Sequence, residues 1–200
     1  MLANPLAFDG VVLAAGRSTR MGRDKALLPA PGDENGRAMW QRQGAVLRAA
    51  GASSVFLSAR PEQEWARNSA KEGFAAVLHD EMPGCGPMVG MTAALERSAR
   101  SHVAVLAIDL PRMTAAWFGK LIERCDAGVG VVGRRGQFFE PLAAIYPREL
   151  MWLAWEALAR GDYALQRLGA TAVEKGLLRV IEVSETETDF FENWNEGATS

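Results

Sequence analysis

The sequence predicts a doubly wound α/β fold, with a mainly parallel sheet covered by helices on both faces. Short apolar runs rich in Val, Leu and Ala alternate along the chain with longer segments of helical pattern. The apolar runs are continuous, as expected for parallel strands buried on both faces. The length of 200 residues suits one domain of ordinary size, so we expect a single domain over residues 1–200.

The elements alternate in the order that this fold class requires. Seven apolar segments are predicted strands: residues 8–15, 53–58, 74–79, 102–108, 129–133, 141–146 and 177–183. Six segments of helical pattern are predicted helices: residues 37–50, 61–71, 87–100, 114–125, 149–160 and 163–168. Gly51 suits the end of the first helix, Pro61 the first turn of the second and Thr114 an N-cap.

Composition and charge argue against several classes of protein. Lys and Arg total 22 against 24 Asp and Glu, a net charge of −2, whereas nucleic-acid-binding proteins favour a basic surface. Two cysteines, Cys85 and Cys125, make no disulfide framework and no zinc motif. The first ten residues, MLANPLAFDG, lack the pattern of a secretory signal, and no apolar run reaches the ~18 residues of a membrane span. We therefore expect a cytoplasmic protein with no nucleic-acid or membrane partner.

Three loops follow predicted strand ends, over residues 17–36, 80–86 and 134–140. In open α/β sheets, ligands bind outside the carboxyl ends of the strands. These loops are therefore the first places to look for functional residues.

The first loop has the composition of a phosphate-binding segment. In LAAGRSTRMGRDKALL (residues 13–28), Gly16 allows a sharp turn after the strand, and Arg17, Arg20 and Lys25 follow it. Exposed amides and cations in such a turn suit a triphosphate. The spacing matches neither the P-loop GxxxxGK[ST] nor the dinucleotide GxGxxG pattern. A solvated basic loop is the alternative interpretation.

Asp109 ends the most apolar strand, in the run LAIDLP. A carboxylate that leaves a buried strand beside a phosphate site is a natural ligand for Mg²⁺, which takes one or two carboxylates together with phosphate oxygens and water. The alternative is a capping or turn aspartate, which is common at such positions.

Three further stretches are candidate binding segments. In HDEMPGCGPMVGM, a glycine-rich turn with Gly86 and Pro87 enters a helix. The backbone of this turn could contact the edge of a base, and Asp80 a ribose or a base; the alternative is a plain connection between strand and helix. Arg134 lies in a basic turn that could meet an anionic second substrate or be a charged hairpin tip. Near the end of the chain, Asn193 and Asn195 share one face of an extended segment, or form a turn.

Together these motifs resemble the MobA-like guanylyltransferases of the molybdenum cofactor. LAAGRSTRMGRDKALL is similar to the family pattern LAGGxSxRMGxDKxLL, and GPMVGM to GPLAGM. IDLPRMT, EPLAAIY and FFENWNEGA resemble the later motifs CDxPxLP, xPLxALY and FxNxNTPED. The resemblance implies a Rossmann-like nucleotidyltransferase fold.

The motif reasoning and the resemblance together give expected roles for individual residues. The catalytic residues would be Arg17, Lys25 and Asp109, with Asp109 as the Mg²⁺ ligand. The acceptor would meet Arg134, Asn193 and Asn195. The nucleotide would be bound by Leu13, Ala14, Ala15, Gly16, Arg20, Lys25, Asp80, Gly86, Pro87 and Asp109.

The expected reaction moves GMP from GTP to the phosphate of molybdopterin and releases pyrophosphate. Ala15, which replaces the second glycine of LAGG, is shared with related cytidylyltransferases, so the same transfer with CTP is an alternative. Transfer to another small phosphorylated acceptor is a second alternative. A non-catalytic nucleotide-binding homologue is a third.

Overall fold

One mixed sheet organises the computed structural model, which describes residues 6–16, 24–33, 35–80, 82 and 84–194. Within these ranges the strands are β1 (Phe8–Leu13), β2 (Val55–Ala59), β3 (Ala76–His79), β4 (His102–Ala107), β5 (Gly130–Arg135), β6 (Phe138–Phe139), β7 (Ala143–Pro147) and β8 (Leu178–Glu182). The α-helices are α1 (Met39–Ala49), α2 (Pro87–Arg97), α3 (Ala115–Ile122), α4 (Leu150–Ala159) and α5 (Leu165–Glu174). Short 3-10 helices span Lys25–Leu27, Glu64–Glu72 and Glu185–Phe191.

The strand order is β3-β2-β1-β4-β7-β5-β6, and β8 pairs with β5. The first four strands are parallel, β7 runs antiparallel to its neighbours β4 and β5, and β8 is parallel to β5. The short β6 forms an antiparallel pair with the end of β5. The predicted mainly parallel sheet is therefore confirmed.

Helices cover both faces of this sheet, as predicted. Val12 packs in one core cluster with Leu47 of α1 and Trp117 of α3. The adjacent Val11 belongs to the other cluster, with Met88 of α2, and that cluster also contains residues of α4 and α5. Successive side chains of a strand point to opposite faces, so the continuous apolar run of β1 follows from burial on both sides.

The structure differs from the sequence-based prediction in the bounds of most elements and at five elements, one of which is the 3-10 helix Lys25–Leu27 inside a predicted loop. The segment predicted as a helix over residues 61–71 is the 3-10 helix Glu64–Glu72, and the short helix predicted over residues 163–168 is the longer α5. Strand β6 and the 3-10 helix Glu185–Phe191 were not predicted. Glu187 caps the start of that last helix, since its Oε2 atom accepts from the amide of Ser184 at 2.9 Å and from its hydroxyl at 2.7 Å.

Thr114 occupies the predicted N-cap of α3, but its hydroxyl makes no capping hydrogen bond. Its Oγ1 atom is buried without a hydrogen-bond partner among the described residues. In the described part of the chain, no helix is both long and apolar enough to cross a bilayer.

Candidate active site

A cleft of about 840 Å³ opens at the carboxyl ends of β1, β2, β3 and β4. The strand ends lie level there, because Leu13 of β1 is in register with Ser58 of β2 and with Ala107 of β4. Seven of the ten residues predicted to bind the nucleotide line this cleft: Leu13, Ala15, Gly16, Asp80, Gly86, Pro87 and Asp109. Segments far apart in sequence therefore meet where the fold class places a ligand.

Of the remaining three predicted nucleotide-binding residues, two are described and do not line the cleft. Ala14 is 2% exposed and belongs to the core behind the cleft wall. Lys25 is half-buried at the start of a 3-10 helix, and Arg20 lies outside the described residues, as does Arg17.

The start of the first loop is held by Arg60, which follows β2. Its guanidinium Nη1 donates to the carbonyl oxygens of Ala15 and Gly16, both at 2.6 Å. These two carbonyl groups have a fixed partner, and a guanidinium charge lies at the wall of the cleft. Both features favour an anionic ligand at this end of the cleft.

Lys25 connects the predicted phosphate-binding segment, to which it belongs, with Trp194 at the end of the described chain. Its ammonium Nζ donates to the carbonyl oxygen of Trp194 at 2.5 Å. Asp24 caps the helix that Lys25 begins, since Asp24 Oδ1 accepts from the amide of Ala26 at 3.1 Å. The lysine is therefore attached to a capped turn and not to a free coil.

Asp109 follows β4, and its backbone is fixed from two sides. The side-chain amide of Gln43 in α1 donates to the carbonyl oxygens of Ala107 at 3.0 Å and Leu110 at 2.9 Å. The amide of Trp194 donates to the carbonyl oxygen of Asp109 itself at 2.9 Å. The Asp109 carboxylate is thus presented to the cleft by a braced loop.

The opposite wall of the cleft is formed by the start of α2. Gly86 adopts a φ of +71° at the N-cap, a conformation that favours glycine, and Pro87 occupies the first turn. Further into the helix, a Cβ on Gly90 would lie 2.3 Å from Oγ of Ser58. The absence of a side chain there lets α2 lie directly against β2.

Asp80 faces this wall from the end of β3. Its Oδ1 accepts from the amide of Met82 at 3.1 Å. Burial raises the pKa of Asp80, and the hydrogen bond from Met82 opposes that shift. A partly desolvated carboxylate at this position can accept hydrogen bonds from a base or a ribose.

The structure describes two of the three residues predicted to bind the acceptor, Arg134 and Asn193. The Arg134 guanidinium is paired with Glu182 of β8 and does not line the cleft. Asn193 is exposed next to Trp194, and Asn195 lies outside the described residues. Among the described residues, Asn193 directly precedes Trp194, whose backbone contacts Lys25 and Asp109.

Sequence reasoning missed Gln43, Arg60, Gln63 and Trp65, which hold the loops of the cleft. Gln43 could have been found, because it interrupts the buried stripe of α1 between Met39 and Leu47 at helical spacing. A polar residue in such a stripe needs a buried partner. The sequence around Arg60, Gln63 and Trp65 contains no local pattern that indicates their contacts.

The MobA-like NTP transferase domain model matches residues 10–176. A probable molybdenum cofactor guanylyltransferase from Opitutus terrae is 42% identical over 98% of this chain and 94% of its own. Among solved structures, a nucleotidyl transferase from Methanothermobacter thermautotroptrophicus aligns with a TM-score of 0.73 and 18% sequence identity. The alignment covers 92% of this chain and 90% of that one.

Molybdopterin-guanine dinucleotide biosynthesis protein A from Archaeoglobus fulgidus has a similar fold. Its TM-score is 0.69, with 20% identity over 94% of this chain and 92% of that one. These two solved structures support the fold, while the family model and the Opitutus terrae relative cover the residues that form the cleft. The chain belongs to the MobA-like NTP transferase family and is a nucleotidyltransferase.

Proposed function

We propose that this chain transfers GMP from GTP to the phosphate of molybdopterin and releases pyrophosphate. One observation carries the proposal: seven residues of the nucleotide-binding prediction, from four separate segments, line one cleft at the carboxyl ends of the strands. The name of the Opitutus terrae relative, a molybdenum cofactor guanylyltransferase, supports this choice of nucleotide and acceptor. One domain over residues 1–200 would carry the whole reaction, in the cytoplasm and without a nucleic-acid or membrane partner.

The base would lie against the start of α2, and the phosphates against the first loop. The first-turn amides of a helix are free to donate hydrogen bonds, and the turn at Gly86 lets a ligand approach the backbone. Asp80 would accept from the ribose or the base. On the phosphate side, Gly16, Arg17, Arg20 and Lys25 would supply amides and positive charge.

In the transfer, an oxygen of the acceptor phosphate attacks the α-phosphorus of GTP. The bond from that phosphorus to the bridging oxygen of pyrophosphate breaks, and pyrophosphate leaves with the bonding electron pair. The nucleophile is already an anion at neutral pH, so no strong general base is needed. Catalysis then rests on positioning and on neutralising charge, which are the tasks of Lys25 and Arg17.

Asp109 is the residue that would hold Mg²⁺. It contributes a carboxylate to the cleft wall, and the described residues contain no cluster of three or more potential metal-ligating side chains. A single carboxylate fits Mg²⁺, which completes its coordination with phosphate oxygens and water. When bound, the ion would neutralise negative charge on the phosphates.

The acceptor would enter beside Asn193 and Asn195. Asn193 is exposed and directly precedes Trp194, whose backbone contacts both Lys25 and Asp109. Arg134 would take part only by leaving Glu182, because the two side chains are paired in this structure.

The proposal is tested by calorimetric binding of GTP, CTP and ATP with Mg²⁺, followed by pyrophosphate release with molybdopterin. Selective GTP binding and acceptor-dependent pyrophosphate release are expected. Selective CTP binding would move the reaction to cytidylyl transfer, the alternative that Ala15 leaves open. Nucleotide binding without pyrophosphate release in the presence of molybdopterin would favour another acceptor or a non-catalytic nucleotide-binding homologue, and no binding of any nucleotide would favour a degenerate protein.

A further inference from the structure

A buried glutamine, Gln63, contacts the predicted phosphate-binding segment at two positions, one before and one after residues 17–23. Gln63 follows β2 in the sequence, and the residue is 5% exposed. Its amide nitrogen donates to the carbonyl oxygen of Ala14 at 3.1 Å and to Oδ2 of Asp24 at 2.7 Å. Both of its N–H groups are therefore used, one on the residue just after β1 and one on the residue that caps the helix of Lys25.

The Asp24 carboxylate is the centre of this arrangement. Its Oδ2 atom also accepts from the indole Nε1 of Trp65 at 2.9 Å, while Oδ1 caps Ala26. Two side-chain donors and one backbone amide thus fix the orientation of one carboxylate. Because Lys25 is the next residue, that orientation determines where the lysine side chain begins.

Gln63 is itself held in place. Its Oε1 atom accepts from the amide of Arg60 at 2.7 Å. Trp65 packs against Trp40 of the core, with ring centroids 5.3 Å apart. The donors that reach Asp24 therefore come from rigid, packed side chains rather than from solvated ones.

We propose that Gln63 and Trp65 are positioning residues for nucleotidyl transfer, acting on Lys25 through Asp24; this inference rests on the function proposed above. Neither residue lines the cleft, and the side chains of both donate hydrogen bonds to Asp24. Their role is to keep the ammonium of Lys25 in place while charge moves from the α-phosphorus to the leaving pyrophosphate. A displacement of ~1 Å in such a group can cost ~100-fold in rate.

A positioning role and a purely structural role predict different kinetics. Loss of structure lowers the amount of folded enzyme, whereas misplacement of Lys25 lowers kcat of the folded enzyme more than it changes KM for GTP. The test therefore measures kcat and KM for the folded fraction of each variant, with molybdopterin as acceptor.

Gln63→Leu removes both donors, and Trp65→Phe removes one donor while keeping a ring against Trp40. We expect kcat to fall roughly 10- to 100-fold for Gln63→Leu and about 3- to 10-fold for Trp65→Phe, with KM for GTP within about threefold. The matched control is Gln166→Leu, since the side chain of Gln166 also forms hydrogen bonds with backbone, at Phe139, and neither residue lines the cleft. It should retain the kcat of the wild type.

Gln63→Glu tests the positioning role through the pH dependence of activity, which a purely structural role would not change in the same way. When the new carboxyl is ionised it has no proton to donate to Asp24, and when it is protonated it can donate one hydrogen bond. When two carboxyl groups are in contact, ionising both is unfavourable, so the pair keeps a shared proton at pH values above the ordinary pKa range of a carboxyl group. We therefore expect the activity of this variant, relative to wild type, to rise as the pH falls from about 8 to about 6.

The outcomes separate the two proposals. If the wild type transfers no nucleotide to molybdopterin, the proposed function fails and this inference fails with it. If the wild type is active and the folded Gln63→Leu and Trp65→Phe variants keep its kcat, only the positioning role is overturned. A Gln63→Glu to wild-type activity ratio that does not change with pH would also count against it, whatever the stability of the other variants.

Discussion

The ammonium of Lys25 donates to the carbonyl oxygen of Trp194 at 2.5 Å, across 169 positions of sequence. The amide of the same Trp194 donates to the carbonyl oxygen of Asp109 at 2.9 Å. The two described residues with predicted catalytic roles are therefore connected through one residue near the end of the chain. Phe191 anchors this segment by an edge-on contact with Trp117, at 5.0 Å between ring centroids.

Lys25→Ala should abolish turnover and leave the fold nearly intact. The residue is half-buried, and the hydrogen bond that it would lose to the carbonyl oxygen of Trp194 contributes about 0.5–1.5 kcal/mol to the unfolding free energy. The rate of pyrophosphate release should fall by ~100-fold or more, because charge on the phosphates would lose its partner. Lys71→Ala, an exposed lysine in the 3-10 helix Glu64–Glu72, is the control. Wild-type turnover in the Lys25→Ala variant would contradict the assigned role.

Asp109→Asn tests the magnesium assignment, because it keeps the shape of the side chain and removes its charge. We expect Mg²⁺ to stop strengthening GTP binding in calorimetry, and pyrophosphate release to fall by ~100-fold. Asp126→Asn is the control, since Asp126 pairs with Arg179 at the surface. An unchanged response to Mg²⁺ in the Asp109→Asn variant would mean that another residue holds the ion.

Gln43→Leu should lower stability more than an ordinary surface change. Gln43 is fully buried and donates to the carbonyls of Ala107 and Leu110, which would be left buried without this donor. Each unsatisfied group costs about 1–3 kcal/mol, so we expect a loss of about 2–4 kcal/mol in urea denaturation. Since this loop carries Asp109, the Mg²⁺ concentration for half-maximal activity should rise as well. A variant as stable as the wild type would show that the two carbonyls find other donors.

The sequence predicted those parts of the site that depend on local pattern. Leu13, Gly16 and Asp109 lie where continuous apolar strands end, and the parallel topology brings such ends together. Gln63 could not be recognised in this way, because its partners Ala14 and Asp24 are 49 and 39 residues away. The role of Arg134 in acceptor binding stays a prediction, and its partner in this structure, Glu182, comes from the neighbouring strand β8, which no local pattern around Arg134 indicates.

We expect His102 to make the stability of the fold sensitive to acid. It is fully buried, with Nδ1 3.0 Å from the hydroxyl of Ser101 and Nε2 3.2 Å from the carbonyl oxygen of Val129. Burial lowers the pKa of His102 below its ordinary value of 6.5, so the unfolded chain takes up a proton first as the pH falls. Stability is therefore lost below pH 6.5, with a slope of at most ~1.4 kcal/mol per pH unit. Urea denaturation at several pH values should show this slope, and it should be smaller in the His102→Gln variant; equal slopes would contradict the assignment.

Gly90→Ala should damage both the fold and the cleft, because α2 lies too close to the sheet for a side chain. The added Cβ would lie 2.3 Å from Oγ of Ser58 and 2.9 Å from Cδ2 of Leu13, and all three residues line the cleft. We expect a loss of about 1–3 kcal/mol in unfolding free energy and weaker GTP binding in calorimetry. Gly119→Ala in α3 is the matched control: nothing lies within 4 Å of its added Cβ, so higher helix propensity should leave stability unchanged or raised by about 0.5–1 kcal/mol. Adding Ser58→Gly to Gly90→Ala removes the closest contact and should recover part of the lost affinity. If Gly90→Ala binds GTP like the wild type, this wall of the cleft does not contact the nucleotide.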